Sequence, residues 1–248
     1  MIITRTIMLL LYLFAICAYS QIKLIITPQD QKCMSDCKIK ITLKNVSKDD
    51  YIIPIDTSGL KAFDRNIFWL DFKHSKRVDK SLCVELLLKE KSSDTILEAV
   101  TRKKDIDLNT NHLDSLFSVI KKEKTIYEEK IHVWKSENNI KDIWKAEKNM
   151  YIIQNLLFLK SKKQFSYYVD FDTSFDLENN YSSEESYYII QPQKKYDAII
   201  KLTVPFDITS YLTKEQIKRY KKYKIFKGDI VAKPLRLLLE NNKYHITE

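Results

Sequence analysis

The chain holds two glycines in 248 residues, Gly59 and Gly228. A phosphate-cradling loop, a dinucleotide fingerprint and a nucleophile elbow all need glycine where the backbone bends sharply or lies close to a ligand. Two isolated glycines build none of the three. The sequence also lacks H-E-x-x-H and G-x-S-x-G. Nucleotide chemistry on a glycine-rich loop, zincin-type metal hydrolysis and serine hydrolysis on an elbow are therefore outside its reach. No cofactor and no metal is expected.

The chain opens MIITRTIMLLLYLFAICAYSQ. Arg5 is its sole charge, Ile7 to Ala18 is continuously apolar, and Ala18-Tyr19-Ser20 puts small residues at the positions a signal peptidase reads. Residues 1–20 thus read as a signal peptide, with the mature chain beginning at Gln21. The apolar run is shorter than the roughly 20 residues that span a bilayer. Cys17 follows the bulky Ile16, which argues against lipid attachment. No later stretch is long and apolar enough for a membrane helix, so the expected location is secreted or periplasmic, with no membrane span once the signal is removed.

Export decides how the cysteines are read. Cys33, Cys37 and Cys83 remain after cleavage, and in an oxidising compartment close cysteines default to a disulfide. A zinc site needs about four clustered ligands, and His74, His112, His132 and His245 are scattered. The spacing is one residue longer than a redox C-x-x-C. A Cys33–Cys37 bridge with Cys83 as a buried free thiol is the expected arrangement. Cys37–Cys83 is the rival pairing.

Period-two patterning dominates both ends of the chain. In CKIKITLKNV, Cys37, Ile39, Ile41 and Leu43 share one face and lysines and threonine the other. QIKLIITP, YIIPID, NIFWLDF and SLCVELLLKE complete about five strands before residue 91. Pro54 cannot donate to a ladder and predicts an edge or bulged strand. Between residues 111 and 134, Leu113, Leu116, Phe117, Ile120, Tyr127, Ile131 and Trp134 form a helical stripe with one turn missing near Lys124. A second helix is predicted from about Asn139, using Ile140, Ile143 and Trp144. The stripe is expected to pack on the β-structure. Strands return in IIQNLLFLKSKKQFSYYVDF, read as a hairpin around KSKK, then in ESYYIIQP and YDAIIKLTVPFDI. A short helix follows, with Thr213 as N-cap and Gln216 at the capping-box position, before YKIFKGDI and KPLRLLLE. The unit strand–NVSKDD–strand resembles the B–C corner of immunoglobulin-like sandwiches, over about 70 residues. Neither β-half reaches the seven or so strands of such a sandwich, whereas together they do. The expected architecture is mostly β (α+β): one immunoglobulin-like antiparallel sandwich over 21–248, discontinuous, with a helical insertion at about 105–150 and a short C-terminal helix.

The formal charge of +9 favours anionic partners. It peaks in KEQIKRYKKYKIFKG, where Lys218, Arg219, Lys221, Lys222 and Lys224 interleave with Tyr220, Tyr223 and Phe226. Rings among cations stack on sugars or bases, so this run is the candidate anionic-ligand surface. The tyrosines also suit anchoring of the helix to the core. DFDTSFDLE aligns Asp170, Asp172, Asp176 and Glu178, but Phe175 and Tyr181 stand where an EF-hand needs glycine and glutamate. Asn45 and Asn180 start glycosylation sequons, which arise by chance in an Asn-rich chain. No catalytic residue is nominated.

The sequence thus implies an exported, non-enzymatic binding module of the cell envelope or extracellular space, whose partner is a protein or an anionic polymer such as an acidic glycan. Export argues against nucleic acid. The alternative is a small secreted hydrolase or enzyme inhibitor with a loop-borne site.

Overall fold

The computed structural model describes residues 21–33, 37–63, 72, 78, 80–103, 110–171, 173–176, 184–240 and 243–247; at 102–103, 110–117, 174–176 and 184–185 it describes the backbone alone. The predicted signal peptide, nearly all of the NIFWLDF strand, Asp172, Glu178 and Asn180 lie outside these residues.

Among the described residues the protein is mostly β, with three α-helices. Strand β3 (Lys38–Asn45) sits between β1 (Ile22–Pro28) and β10 (Gln164–Asp170), antiparallel to both. Alternation decides its inward face: Ile39, Ile41 and Leu43 are fully buried, as is Cys37 just before them. A larger sheet runs β2 (Lys32–Cys33), β17 (Lys243–Thr247), β16 (Leu235–Glu240), β13 (Lys195–Val204), β6 (Val84–Glu90) and β5 (Leu60–Ala62). To it are added β15 (Gly228–Val231), beside β13, and β7 (Ile96–Leu97), beside β6. In β13 the pattern is strict: Tyr196, Ala198, Ile200, Leu202 and Val204 are buried while the residues between them are half-exposed. A third sheet orders β14 (Lys224–Ile225), β4 (Tyr51–Pro54) and β9 (Leu156–Leu159), and a fourth β11 (Ser174–Asp176), β12 (Glu184–Tyr187) and β8 (Val100–Lys103). Inner faces of the first three sheets meet in one core that includes Ile41, Leu43, Tyr51, Ile53, Leu159, Ile200 and Leu237. This is a sandwich-like arrangement, in which each sheet hides its apolar face against another layer.

The pairing is not wholly antiparallel: β5 with β6 and β14 with β4 run parallel. Nor do β9 and β10 form the predicted hairpin. The KSKK turn is real, with Lys163 N–H on Lys160 O at 3.1 Å and Lys162 at φ 59°. It passes the chain between sheets, because β10 pairs with β3 and β9 with β4. The NVSKDD segment makes the same passage between β3 and β4. Asn45, fully buried, clamps both turns. Its Nδ2 donates to Asp49 O at 2.8 Å, Leu159 O at 3.1 Å and Lys160 O at 3.2 Å, and its Oδ1 accepts from Ser47 N at 2.9 Å. Strand β4 is also no edge strand. Its proline is tolerated because β14 reaches only as far as Ile52, so Pro54 faces a neighbour, Leu156, on one side alone.

The helical insertion runs over residues 110–154 rather than about 105–150. Helix α1 (Thr110–Glu137) is continuous through Lys124, and α2 (Ile143–Gln154) follows. Asn139, at φ 52°, follows the end of α1. Asp142 rather than Asn139 caps α2, its carboxylate accepting from Lys145 N at 2.7 Å. Ile152 and Ile153 are therefore helical, not the start of a strand, and Trp144 is half exposed rather than part of the packed stripe. Ile131 of α1 packs with Ala146 and Met150 of α2 and with Ile140 between the helices, flanked by Tyr127 and Trp134. The C-terminal part of the stripe, at Tyr127, Ile131 and Trp134, thus meets the second helix rather than the β-structure. The other side of α2, with Tyr151 and Ile152, enters the main core.

Candidate functional site

The bridge between Cys33 and Cys37 is formed, with Cα atoms 5.2 Å apart, and Cys83 is free and buried, so the rival Cys37–Cys83 pairing falls away. Cys83 is no nucleophile. Its Sγ lies 3.7 Å from Ser58 Oγ, and burial, then the nearby Asp56 carboxylate, push its thiol up to about 12. At neutral pH it holds its proton, and a thiol without thiolate character does not attack. Asp56 itself is committed, accepting from Tyr151 Oη at 2.7 Å and Ser58 N at 2.9 Å. Among the described residues no group of three His, Cys, Asp or Glu side chains is placed to hold a metal ion.

The basic run has a definite architecture. Helix α3 (Lys214–Tyr220) begins at Thr213 with the predicted capping box: Thr213 Oγ1 accepts from Gln216 N, and Gln216 Oε1 accepts from Thr213 N at 2.9 Å. The helix is anchored through a glutamine. Gln216 is buried, whereas the neighbouring Ile217 is 46% exposed. The Gln216 amide exchanges hydrogen bonds with that of Asn149 on α2, donating to its Oδ1 at 3.0 Å and accepting from its Nδ2 at 2.7 Å, and also donates to Asn138 Oδ1 at 3.2 Å. Asn149 Oδ1 takes a further bond from Trp134 Nε1 at 2.9 Å, and Asn149 Nδ2 donates to Tyr211 O at 2.8 Å. Each amide is satisfied, so the network ties α1, α2 and α3 together without an unpaired buried group.

Beyond α3 the chain turns at Lys221–Lys222 and enters β14 beside β4. One cross-strand row of that sheet is Ile225, Ile52 and Phe158, in which Ile52 is fully buried. Phe158 is partly covered by Tyr220, with ring centroids 5.8 Å apart, and by Tyr223, edge-on at 5.3 Å. The tyrosines anchor on this outer aromatic residue, which remains 46% exposed. Lys218, Arg219, Lys221 and Lys222 all face solvent around the three rings and make no ion pair among the described residues; Lys222 Nζ lies 5.1 Å from the Tyr223 ring centre. Lys224 differs. It is bound to Asp49 at 2.5 Å, and this hydrogen bond raises its pKa, so it is cationic but already engaged. Asp50 draws the KSKK turn to the same place: its carboxylate accepts from Ser161 N at 2.8 Å and its carbonyl from Lys224 N at 2.9 Å. Exposed Lys160 and Lys163 thereby join the rim. The result is an aromatic cluster beside exposed cations of two distant segments, with Asp49 and Asp50 engaged locally.

The sequence reading found the cations and two of the rings. It missed Phe158, Lys160 and Lys163, which reach the face only through the β14–β4–β9 pairing. Of the aspartates in DFDTSFDLE, Asp170 ends β10 with its carboxylate 4.0 Å from Lys38 Nζ. No family model, curated protein or solved structure matches the chain.

Proposed function

We propose that this protein is an exported, non-enzymatic binding module of immunoglobulin-like architecture that holds an anionic polymer, an acidic glycan above all, on its basic aromatic face. The observation that carries the reading is the partly exposed Phe158–Tyr220–Tyr223 cluster among four cations that make no ion pair among the described residues. Aromatic faces stack on the apolar side of a sugar ring, and spaced cations match the repeating charge of the polymer. A protein partner would be served by a larger apolar patch with fewer lysines, since interface cores are depleted in lysine. Export rests on the N-terminal segment. No described helix is long and apolar enough to cross a membrane.

The test is binding to heparin, with uncharged dextran as control, between roughly 50 and 300 mM salt, where screening of exposed charges changes most. Heparin should bind, weaken steeply with salt, and lose about tenfold or more in affinity in the variant K218Q/R219Q/K221Q/K222Q. Phe158→Ala should weaken binding while leaving the salt slope unchanged. Undiminished heparin binding by the fourfold variant would sink the assignment of this face.

A further inference from the structure

The outer face of the large sheet carries a separate feature. A depression of about 430 Å³ lies over β13, β16 and β17, lined in part by Lys91, Lys195, Arg236, Leu238, His245 and Thr247. Register explains their convergence. Lys195 pairs with Leu238 and Leu238 with His245, making one row; Asp197 pairs with Arg236 and Arg236 with Thr247, making the next. Rows two residues apart point to the same side of a sheet, and neighbouring strands lie about 4.8 Å apart. The buried residues between them, Tyr196, Leu237 and Ile246, face the core. The depression therefore has a rigid sheet as its floor.

Charge is unevenly settled there. The Asp197 carboxylate is taken by Lys91, whose Nζ lies 3.1 Å away, and Glu240 stands 3.8 Å from His245 Nε2. Lys195 and Arg236, both exposed, have no carboxylate partner among the described residues. Two cations on adjacent strands, one a planar guanidinium suited to two-point contact with a carboxylate or phosphate, flank a concavity within the size range of small-molecule sites. Leu238 supplies an apolar patch between them, and the Thr247 hydroxyl a neutral polar contact.

The geometry points to a second binding site, independent of the polymer face: this depression takes a compact anion of sugar size, bearing a carboxylate or a phosphate, held between Lys195 and Arg236. The experiment follows amide chemical shifts of the isotope-labelled protein during titration with glucuronate, glucose 6-phosphate and, as neutral control, glucose. At least one anion should give saturable shifts centred on residues 195–197, 236–238 and 245–247, while glucose gives none. Lys195→Gln and Arg236→Gln sit on the solvent side of the sheet and leave the core untouched; each should weaken the response about tenfold. The stronger of the two anions identifies the carboxylate or phosphate as the preferred group. The proposal is overturned if neither anion saturates, if glucose shifts the same amides equally, if both variants respond like the parent, or if the shifts centre on 218–223. The last outcome would leave the polymer reading standing alone.

Discussion

With so few glycines, the chain makes its left-handed backbone turns from other residues. Lys80, Asp94, Asn139, Lys162 and Gln193 all have φ between 52° and 65°, a region that costs a residue with a Cβ about 1–2 kcal/mol. Gln193 is a clean case, since its side chain is exposed while its N–H donates to Leu239 O at 3.0 Å. Gln193→Gly relieves that strain but loosens the unfolded chain, so a net gain of about 0.5–1 kcal/mol is expected in urea unfolding. Asn45 predicts the opposite. Its amide serves three carbonyls, and Asn45→Ala strands them where water is largely excluded, at about 2–3 kcal/mol. The same burial means that the Asn45 sequon is no acceptor in the folded protein. Glu85 carries a pH dependence. Burial raises its carboxyl above the usual range, against the pull of Lys61 and Lys201. A raised acid contributes stability that is fully present below its unfolded pKa and is lost as pH rises through the folded one. Glu85→Gln should therefore flatten the loss of stability seen as pH climbs from about 4.5, measured as urea midpoints across that range.

Elements were legible in proportion to how local their causes are. The capping box of α3 could be read because Thr213 and Gln216 satisfy each other three residues apart. The buried face of β3 could be read because alternation is a property of the strand itself. YIIQNLLFL could not be divided, because an apolar run suits a buried helix end or a strand equally; Asn155 marks the boundary by capping α2, its N–H on Ile152 O at 3.1 Å. KSKK was a correct turn with the wrong partners, since pairing is decided by β3 and β4, more than 100 residues away. The candidate face follows the same rule: its lysines are contiguous and visible, while Phe158 joins them only in space. The least legible element contact is Asn149 with Gln216, for two amides on separate helices leave no periodic signal. It is open to a direct test. Asn149→Ala should cost about 2–3 kcal/mol, Gln216→Ala about the same, and the double variant about 1 kcal/mol or more below the sum, because each single change already strands the other amide. Strict additivity in urea unfolding would show that the pair does not act as a unit.

At the scale of the molecule, two apolar clusters of different size are held in one chain. The larger joins the sheets and includes Tyr151 and Ile152 of α2; the smaller, around Ile131, Ile140, Ala146 and Met150, holds α1 to α2. Among the described side chains of α1, those in the smaller cluster come from its C-terminal half. Toward its other end Val119 and Ile126 are about 40% exposed, while the Tyr127 hydroxyl donates to Glu147 of α2 at 3.1 Å. A helix of 28 residues extends about 42 Å at 1.5 Å per residue, more than twice the length of the 12-residue α2. Local opening needs little energy where few apolar contacts are lost, while strands central to a core open only with the whole fold. Hydrogen exchange should therefore be graded: slowest in β3, β6 and β13, intermediate in 127–137 and 143–154, and fastest among the helices in 118–126. The gradient should persist on dilution. If 118–126 instead proves as protected as β13 at high concentration and loses that protection on dilution, the outer half of α1 is covered by another copy of the chain, and the exposed Val119 and Ile126 mark where it sits.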